Sequence, residues 1–109
     1  MSVSVQQGSV YWLHESNKKR PVLILSRDSA IPFLPQLLVA PLTKKILSVP
    51  SFVPFQVDEL GEVAVNLDAV QSVDKNSLNG FVARLSKEQM LEVRKAISFA
   101  MGFDDLEEN

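Results

Sequence analysis

The sequence contains no cysteine and only one histidine, His14, among its 109 residues. The absence of cysteine excludes a disulfide framework and a thiolate metal site, and one histidine excludes a histidine-rich zinc site within a single chain. The glycines are scattered, so no glycine-rich phosphate loop is present, and neither a Gly-x-Ser-x-Gly elbow nor a His-Glu-x-x-His pair occurs. We therefore predict neither a bound metal nor a cofactor.

Long hydrophobic segments are also missing. No stretch approaches the roughly 18 consecutive apolar residues of a membrane helix, and the chain does not open with a basic patch followed by an apolar stretch. We expect a cytoplasmic protein with neither a signal peptide nor a membrane span. Its length fits one domain over residues 1–109, for which we predict a core over about residues 8–103 and an acidic tail over residues 104–109.

A strong charge of one sign is absent as well, since the formal net charge is −2. This argues against a generic nucleic-acid binder, but the charges are unevenly distributed. Four acidic residues lie at the C-terminus, and the basic residues form three clusters: Lys18-Lys19-Arg20, Lys44-Lys45 and Arg94-Lys95. The alternative interpretation of each cluster is ordinary solvated surface charge.

The segments that are present are mostly strand-like. Residues 20–26 and 36–42 are nearly continuous apolar runs bounded by polar residues, which is typical of buried strands in a small barrel. Pro54 predicts that its own strand lies at an edge or a bulge. Further strands are predicted at residues 9–14, 52–57, 62–68 and 81–85. Because no β-α-β alternation occurs, we predict a mainly β fold, a small antiparallel barrel rather than a doubly wound sheet.

One helix is predicted, at the C-terminal end. Ser86 and Gln89 form a capping-box pattern, in which each side chain satisfies the backbone amide of the other residue. Gly102 is placed to end a helix of about 15 residues. Apolar residues recur at helical spacing in between, at Met90, Val93, Ile97, Ala100 and Met101. This helix can cover one face of the barrel.

Polar residues at the predicted strand ends mark where a site could form. They are Glu15, Arg20, Thr43, Asn66 and Asp68. A charged residue that begins a strand is commonly only a solvated boundary, so these residues alone do not identify a function.

The order of the motifs carries a resemblance to a known family. Five segments precede the final helix: Gly8-Ser9-Val10-Tyr11-Trp12, Arg20-Pro21-Val22-Leu23-Ile24-Leu25-Ser26, Val39-Ala40-Pro41-Leu42-Thr43, Leu67-Asp68-Ala69-Val70-Gln71-Ser72-Val73-Asp74-Lys75 and Ala83-Arg84-Leu85-Ser86. In this order they resemble the MazF/PemK/Kid toxins, the ribonuclease components of bacterial type II toxin–antitoxin modules. The resemblance extends from about Gly8 to Gly102.

The resemblance implies both a fold and an activity. The fold is an SH3-like barrel with a C-terminal helix, the plasmid maintenance toxin fold of CcdB and MazF, and it works as a homodimer. The activity is metal-independent cleavage of single-stranded RNA at short sequences, which leaves a 2′,3′-cyclic phosphate and a free 5′-hydroxyl. The implied partner is a cognate antitoxin, which inhibits the toxin by threading an extended segment over the RNA groove of the dimer.

The same resemblance assigns catalytic positions. Arg20 matches the arginine before the proline of the second strand, and Thr43 matches the threonine that closes the third strand. Glu15 lies five residues before Arg20, the spacing at which a glutamate bears on activity in the family, and His14 precedes it as in some members. Asp68 matches a strand-borne aspartate of the family.

Several positions depart from the family pattern. The usual Arg-Gly-Asp/Glu opening is Gln7-Gly8-Ser9, and the loop before Arg20 is shorter than usual. Asn66 stands where some members have a catalytic arginine, Ala69 where a glutamine is usual, and Gln71 where a basic residue is usual. Lys44 follows Thr43 where serine or threonine is frequent. We predict that residues around these positions contact RNA: Trp12, His14, Lys18, Lys19, Lys44, Asn66 and Gln71.

The chemistry of these residue types fits the implied reaction. Arg20 can hold two phosphate oxygens in a bidentate fork, and such preorganised charge is commonly the largest catalytic contribution. Thr43 can donate a hydroxyl hydrogen bond to the same phosphate. Glu15 and Asp68 are both candidate bases, and the imidazole of His14 is a further candidate acid or base.

The lysines and aromatic residues are assigned to RNA binding on general grounds. Lys18, Lys19 and Lys44 can contact phosphates, which positions RNA without reading its sequence. Either Tyr11 or Trp12 can stack on a base, and one of them must face the core because side chains alternate along a strand.

Two other functions stay open from sequence alone. One is a non-catalytic poison of DNA gyrase, as in the CcdB toxins, which end in Trp-Gly-Ile where this chain has Met101-Gly102-Phe103 followed by acidic residues. The other is an SH3-like interaction module with no activity.

Overall fold

Seven antiparallel strands and two C-terminal helices make up the computed structural model, which describes residues 5–107. The strands are β1 Ser9–Glu15, β2 Lys18–Ile24, β3 Gln36–Thr43, β4 Phe52–Val57, β5 Gly61–Asn66, β6 Gln71–Asp74 and β7 Leu78–Arg84. The helices are α1 Lys87–Ala100 and α2 Phe103–Glu107. Neither helix of this described part is long and apolar enough to cross a membrane.

The strands form one curled sheet in the order β4-β5-β3-β2-β1-β7. Strand β3 has two partners on one side, because β6 pairs with its first half and β5 with its last two residues. Strand β4 lies at an edge of the sheet, as Pro54 predicted. The predicted mainly β fold with a C-terminal helix is therefore confirmed.

The β1–β2 hairpin is tighter than the sequence indicated. The strand predicted at residues 9–14 and the apolar run 20–26 left residues 15–19 as their connection, but β1 reaches Glu15 and β2 begins at Lys18. The two turn residues, Ser16 and Asn17, both have positive φ angles, 50° and 64°. This is the pattern of a type I′ turn, whose twist matches that of the strands it joins. The tight turn brings the end of β1 directly beside the start of β2.

The predicted strand 62–68 is interrupted after Asn66. A 3₁₀ turn, Leu67–Ala69, separates β5 from β6, and the Asn66 side chain caps it by accepting the Asp68 N–H. Asparagine offers the backbone this local alternative to a sheet hydrogen bond. As a result β5 and β6 pair with different halves of β3.

The sheet buries apolar side chains on both faces. In β2, Val22 and Ile24 belong to one cluster and Leu23 to the other, as expected for a strand that is apolar along its length. The cluster that contains Leu23 lies under α1, where Val93 and Ala96 are buried. Helix α1 therefore covers one face of the sheet, as predicted.

The start of α1 has the predicted capping box. The Ser86 hydroxyl accepts the Gln89 N–H at 3.1 Å, and the Ser86 N–H donates to Gln89 Oε1 at 2.7 Å. At the other end Gly102 has a φ of 73°, which favours glycine and ends the helix. Met101 departs from the predicted apolar stripe, since it is exposed.

The segment predicted as an acidic tail begins as a helix. Asp104 and Asp105 lie in the first turn of α2, where negative side chains interact favourably with the positive end of the helix dipole. Glu108 and Asn109, the last two residues of the predicted tail, lie outside the described residues.

We expect Ser86→Ala to lower the free energy of unfolding by about 1 kcal/mol, because the substitution leaves the Gln89 N–H without its acceptor. For a domain of this size the melting temperature falls by about 4–8 °C. Thermal unfolding followed by circular dichroism measures the change, with Ser48→Ala, an exposed loop serine, as the matched control. Equal melting temperatures for the two variants would contradict a stabilising capping box.

Candidate active site

Arg20 and Thr43 lie on the same face of the sheet, near the end of the β2–β3 pairing. Val22 pairs with Pro41 and Ile24 with Val39. Arg20 lies two residues before Val22 and Thr43 two residues after Pro41, so both side chains are on the face that these pairs define. The two residues that the sequence named as catalytic therefore share one face, just beyond the last pair of these two strands.

A carboxylate lies beside this arginine. Glu15 Oε1 is 3.4 Å from Arg20 Nη2, across the β1–β2 hairpin. The two side chains are 48% and 52% exposed, and an ion pair this exposed contributes little to folding stability. The contact therefore leaves Arg20 free to turn to an anionic ligand, with Glu15 next to it.

The Thr43 hydroxyl is oriented by the chain that follows it. Its Oγ1 accepts the backbone N–H of Lys45 at 3.0 Å. A hydroxyl has one hydrogen to donate and two lone pairs, so this contact occupies a lone pair and leaves the hydrogen for another acceptor. Thr43 is thus arranged to donate a hydrogen bond on the face that it shares with Arg20.

Asp68 is engaged elsewhere. Its Oδ2 accepts a hydrogen bond of 2.5 Å from the hydroxyl of Ser51, a residue only 1% exposed, and the Leu67 N–H donates to the Ser51 carbonyl oxygen at 2.9 Å. These bonds fasten the loop 44–51 to the 3₁₀ turn. Of the two carboxylates named as candidate bases, Glu15 is the one in contact with Arg20.

Asn66 and Gln71 lie beside β3, on the sheet face that Arg20 and Thr43 share. Gln71 pairs with Val39, and the β3–β5 register, continued by one residue, puts Asn66 opposite Pro41. Both residues are half-buried. Their amides therefore lie on the same side of the sheet as the candidate catalytic pair.

Three predicted RNA-binding residues lie on the opposite face of the hairpin. Lys19 Nζ is 4.6 Å from the centre of the Trp12 ring, a cation–π contact. His14 Nε2 is 3.3 Å from the carbonyl oxygen of Asn79. Glycine is favoured at position 80, where φ is 93° and a Cβ would lie 3.2 Å from Trp12 Cδ1. Side-chain alternation along β1 and β2 separates this group from Glu15 and Arg20.

The remaining predicted residues are one buried aromatic residue and two exposed lysines. Tyr11 is buried and meets Phe81 edge-on, so it is the aromatic residue of the first strand that faces the core. Lys18 pairs with Glu15, and Lys44 follows Thr43, both with exposed side chains. Within residues 5–107, no three His, Asp or Glu side chains group closely enough to form a metal site.

Sequence reasoning missed Ser51 and the Lys45 N–H. Ser51 is polar and buried, but its partner Asp68 is 17 residues away and no local pattern connects the two. The Lys45 contact is a backbone hydrogen bond, which a serine- or threonine-turn pattern could have indicated.

A comparison with protein families matches residues 6–101 to the family described as PemK-like, MazF-like toxin of type II toxin–antitoxin systems. The probable endoribonuclease MazF5 of Mycobacterium tuberculosis is 36% identical over 105 residues, which cover 93% of this chain and 96% of that protein.

Solved structures share the fold. The M. tuberculosis toxin MazF-mt6 superposes with a TM-score of 0.80 at 26% identity, covering 86% of this chain and 96% of that one. A mycobacterial endoribonuclease in complex with its cognate antitoxin superposes with a TM-score of 0.81 at 21% identity, covering 90% and 95%. The second likeness concerns the fold alone.

Proposed function

The chain belongs to the family of PemK-like, MazF-like toxins of type II toxin–antitoxin systems, and we propose that it is an endoribonuclease that cuts single-stranded RNA. In this proposal Arg20 and Thr43 are the residues that act on the cut phosphate. Relatives named as endoribonucleases support the activity. The observation that supports this site is that Arg20 and Thr43 lie on one face of the sheet and that Glu15 forms an ion pair with Arg20. The gyrase-poison alternative is not favoured, because the relatives are named MazF and EndoA.

In the proposed reaction the ribose 2′-oxygen attacks the adjacent phosphorus. The bond from the 2′-oxygen to phosphorus forms and the bond from phosphorus to the 5′-oxygen breaks, which gives a 2′,3′-cyclic phosphate and a 5′-hydroxyl. Glu15 takes the proton of the 2′-hydroxyl, and a proton from solvent or from a protonated side chain goes to the leaving 5′-oxygen. Arg20 and Thr43 hold the non-bridging oxygens, where negative charge builds up. We propose that no metal ion takes part.

The other predicted residues receive different roles under this proposal. Lys18 and Lys44 contact phosphates at the rim of the site, and Asn66 and Gln71 reach bases on the same face. Asp68 has a structural role, because its hydrogen bond from Ser51 fixes the end of the loop 44–51. Trp12, His14 and Lys19 lie on the other face of the hairpin, where they contact RNA that extends beyond the cut phosphate.

We also propose the assembly that the family membership suggests. The single toxin domain spans residues 1–109 and works as a homodimer, which a cognate antitoxin inhibits by covering the RNA groove. Leu91 and Phe99 line one depression beside α1 and are 45% and 46% exposed, which supports a protein interface there. Light scattering at micromolar concentration tests the dimer, and a monomeric mass would contradict it.

The activity is tested by incubating the purified protein with mixed single-stranded RNA in EDTA and sequencing the 5′-hydroxyl ends. We expect discrete cuts at a short sequence, which disappear with Arg20→Ala. Cuts that need added metal, or cuts that persist in the Arg20→Ala protein, would refute a metal-independent reaction at this site.

A further inference from the structure

The carboxylate of Glu15 occupies Arg20 as an anionic ligand would. Glu15 Oε1 lies 3.4 Å from Arg20 Nη2, a contact that engages one nitrogen of the guanidinium group. A guanidinium group binds carboxylates and phosphates in the same way, through two parallel N–H donors where the geometry allows. Glu15 is therefore a weakly held anion that belongs to the chain itself.

The β1–β2 hairpin keeps this carboxylate within reach of Arg20. Glu15 pairs with Lys18 at the end of the hairpin, and Leu13 pairs with Arg20 two residues further along. Glu15 and Arg20 are thus diagonal neighbours on one face, a separation that long side chains bridge. The two-residue turn between the strands fixes both strand ends, so the effective concentration of the carboxylate beside Arg20 is high.

The two partners can separate without disturbing the fold. Both side chains are about half exposed, and an ion pair this exposed contributes little to folding stability. Lys18 is exposed directly opposite Glu15 and offers the carboxylate a second cation when Arg20 turns away. Glu15 is also the only acidic residue among the first 27 of the chain, so no other carboxylate of this hairpin competes for Arg20.

We propose that Glu15 is a built-in competitor of the RNA phosphate at Arg20 and that it sets the affinity of this site for anions. The inference rests on the proposed function for the assignment of Arg20 to the cut phosphate. A ligand that needs Arg20 has its affinity reduced in proportion to the fraction of molecules in which Arg20 is free. Binding of inorganic phosphate and binding of RNA through Arg20 are therefore weakened by the same factor.

The consequence differs between large and small anions. The neighbouring phosphates of an RNA strand contact further cations of the site, such as Lys44, whereas inorganic phosphate depends on Arg20 alone. RNA therefore tolerates the competition, while a single phosphate ion is held too weakly to occupy the site. The internal carboxylate keeps Arg20 occupied against small anions and available to RNA.

Binding is measured with single-stranded RNA that carries 2′-O-methyl groups and cannot undergo 2′-attack. We expect Glu15→Gln to raise the affinity in fluorescence anisotropy about 3-fold, the gain expected from releasing an exposed ion pair. Inorganic phosphate, added as a competitor at constant ionic strength, binds this variant about 3-fold more tightly as well. Glu59→Gln, in the exposed β4–β5 turn, removes the same charge elsewhere and retains the parent affinity. Melting temperatures close to that of the parent confirm that the variants fold.

A double-mutant cycle shows whether the gain acts through Arg20. Direct repulsion between Glu15 and RNA would persist without the arginine, whereas competition for the arginine would not. We therefore expect Glu15→Gln to give no gain in affinity in the Arg20→Gln background. A gain that persists in that background overturns the proposal. An unchanged affinity of the Glu15→Gln single variant, or an equal gain in Glu59→Gln, also overturns it.

Cleavage of unmodified RNA supplies a second readout that changes in the opposite direction. Because Glu15 is also the proposed base, we expect Glu15→Gln to lower the single-turnover rate while it raises the affinity. A residue that acted only as the base would change the rate and leave the affinity at the parent value.

The two proposals fail differently. If Glu15→Gln raises the affinity through Arg20 but the parent never cleaves unmodified RNA, the proposed function fails and the internal competitor remains. If the parent cleaves RNA through Arg20 and Glu15→Gln binds RNA like the parent, the internal competitor fails and the proposed function remains.

Discussion

Replacing Arg20 by alanine is expected to lower the single-turnover rate of RNA cleavage by about 1,000-fold. Removal of one preorganised donor to a developing oxyanion costs about 100- to 1,000-fold, and this substitution removes a full positive charge together with two donors. The fold should be unaffected, because the only ion pair that the structure records for Arg20 among residues 5–107 is the half-exposed contact with Glu15. The melting temperature should therefore stay close to that of the parent.

Two further variants make the Arg20 result specific. Arg20→Lys keeps the charge but not the planar fork, so we expect a rate between those of the parent and the alanine variant. Arg27→Ala removes an exposed arginine just beyond β2 and should cleave like the parent. Parent-like cleavage by a folded Arg20→Ala protein would remove Arg20 from the mechanism.

The second large effect is expected at Thr43, the only threonine of the chain. Thr43→Val should lower the cleavage rate by about 100-fold, because it replaces the hydroxyl by a methyl group of similar size and deletes the hydrogen bond to the phosphate. Valine is also β-branched and suits the end of β3. The substitution leaves the Lys45 N–H without its acceptor, which costs about 1 kcal/mol of stability.

Serine at position 43 tests whether the hydroxyl, and not the methyl group, accounts for the loss of activity. Thr43→Ser restores the hydroxyl and with it the contact to the Lys45 N–H, so we expect most of the activity to return. Single-turnover rates on one RNA, measured with the parent, Thr43→Val and Thr43→Ser, provide the comparison. A Thr43→Val protein that cleaves like the parent would show that the hydroxyl takes no part in the reaction.

The proposed site is built on a fixed backbone. Glu15, Arg20 and Thr43 lie on the adjacent strands β1, β2 and β3, whose pairing is stabilised by buried residues on both faces. Under the proposed function the Arg20 side chain turns from Glu15 to the phosphate, and the backbone needs no rearrangement.

Local patterns in the sequence were sufficient to identify most elements. The apolar runs predicted β2 and β3, Pro54 predicted the edge position of β4, and the Ser86–Gln89 pair predicted the start of α1. Each of these features depends on residues a few positions apart, whose propensities and capping contacts act within one element. The order of the motifs along the chain also sufficed to indicate the family, which the comparisons confirmed.

The arrangement of the site depended on pairings between distant parts of the chain. Only the register of β2, β3 and β5 shows that Arg20, Thr43 and Asn66 share a face, while alternation along the hairpin turns Trp12 and His14 to the other side. The contact of Asp68 with Ser51 likewise joins residues that no local pattern relates. A one-residue change of register would reverse the face of every side chain in a strand. Sequence therefore determined which elements form and which residues are chemically able to act, whereas the packing of both sheet faces set the register that decides which of them meet.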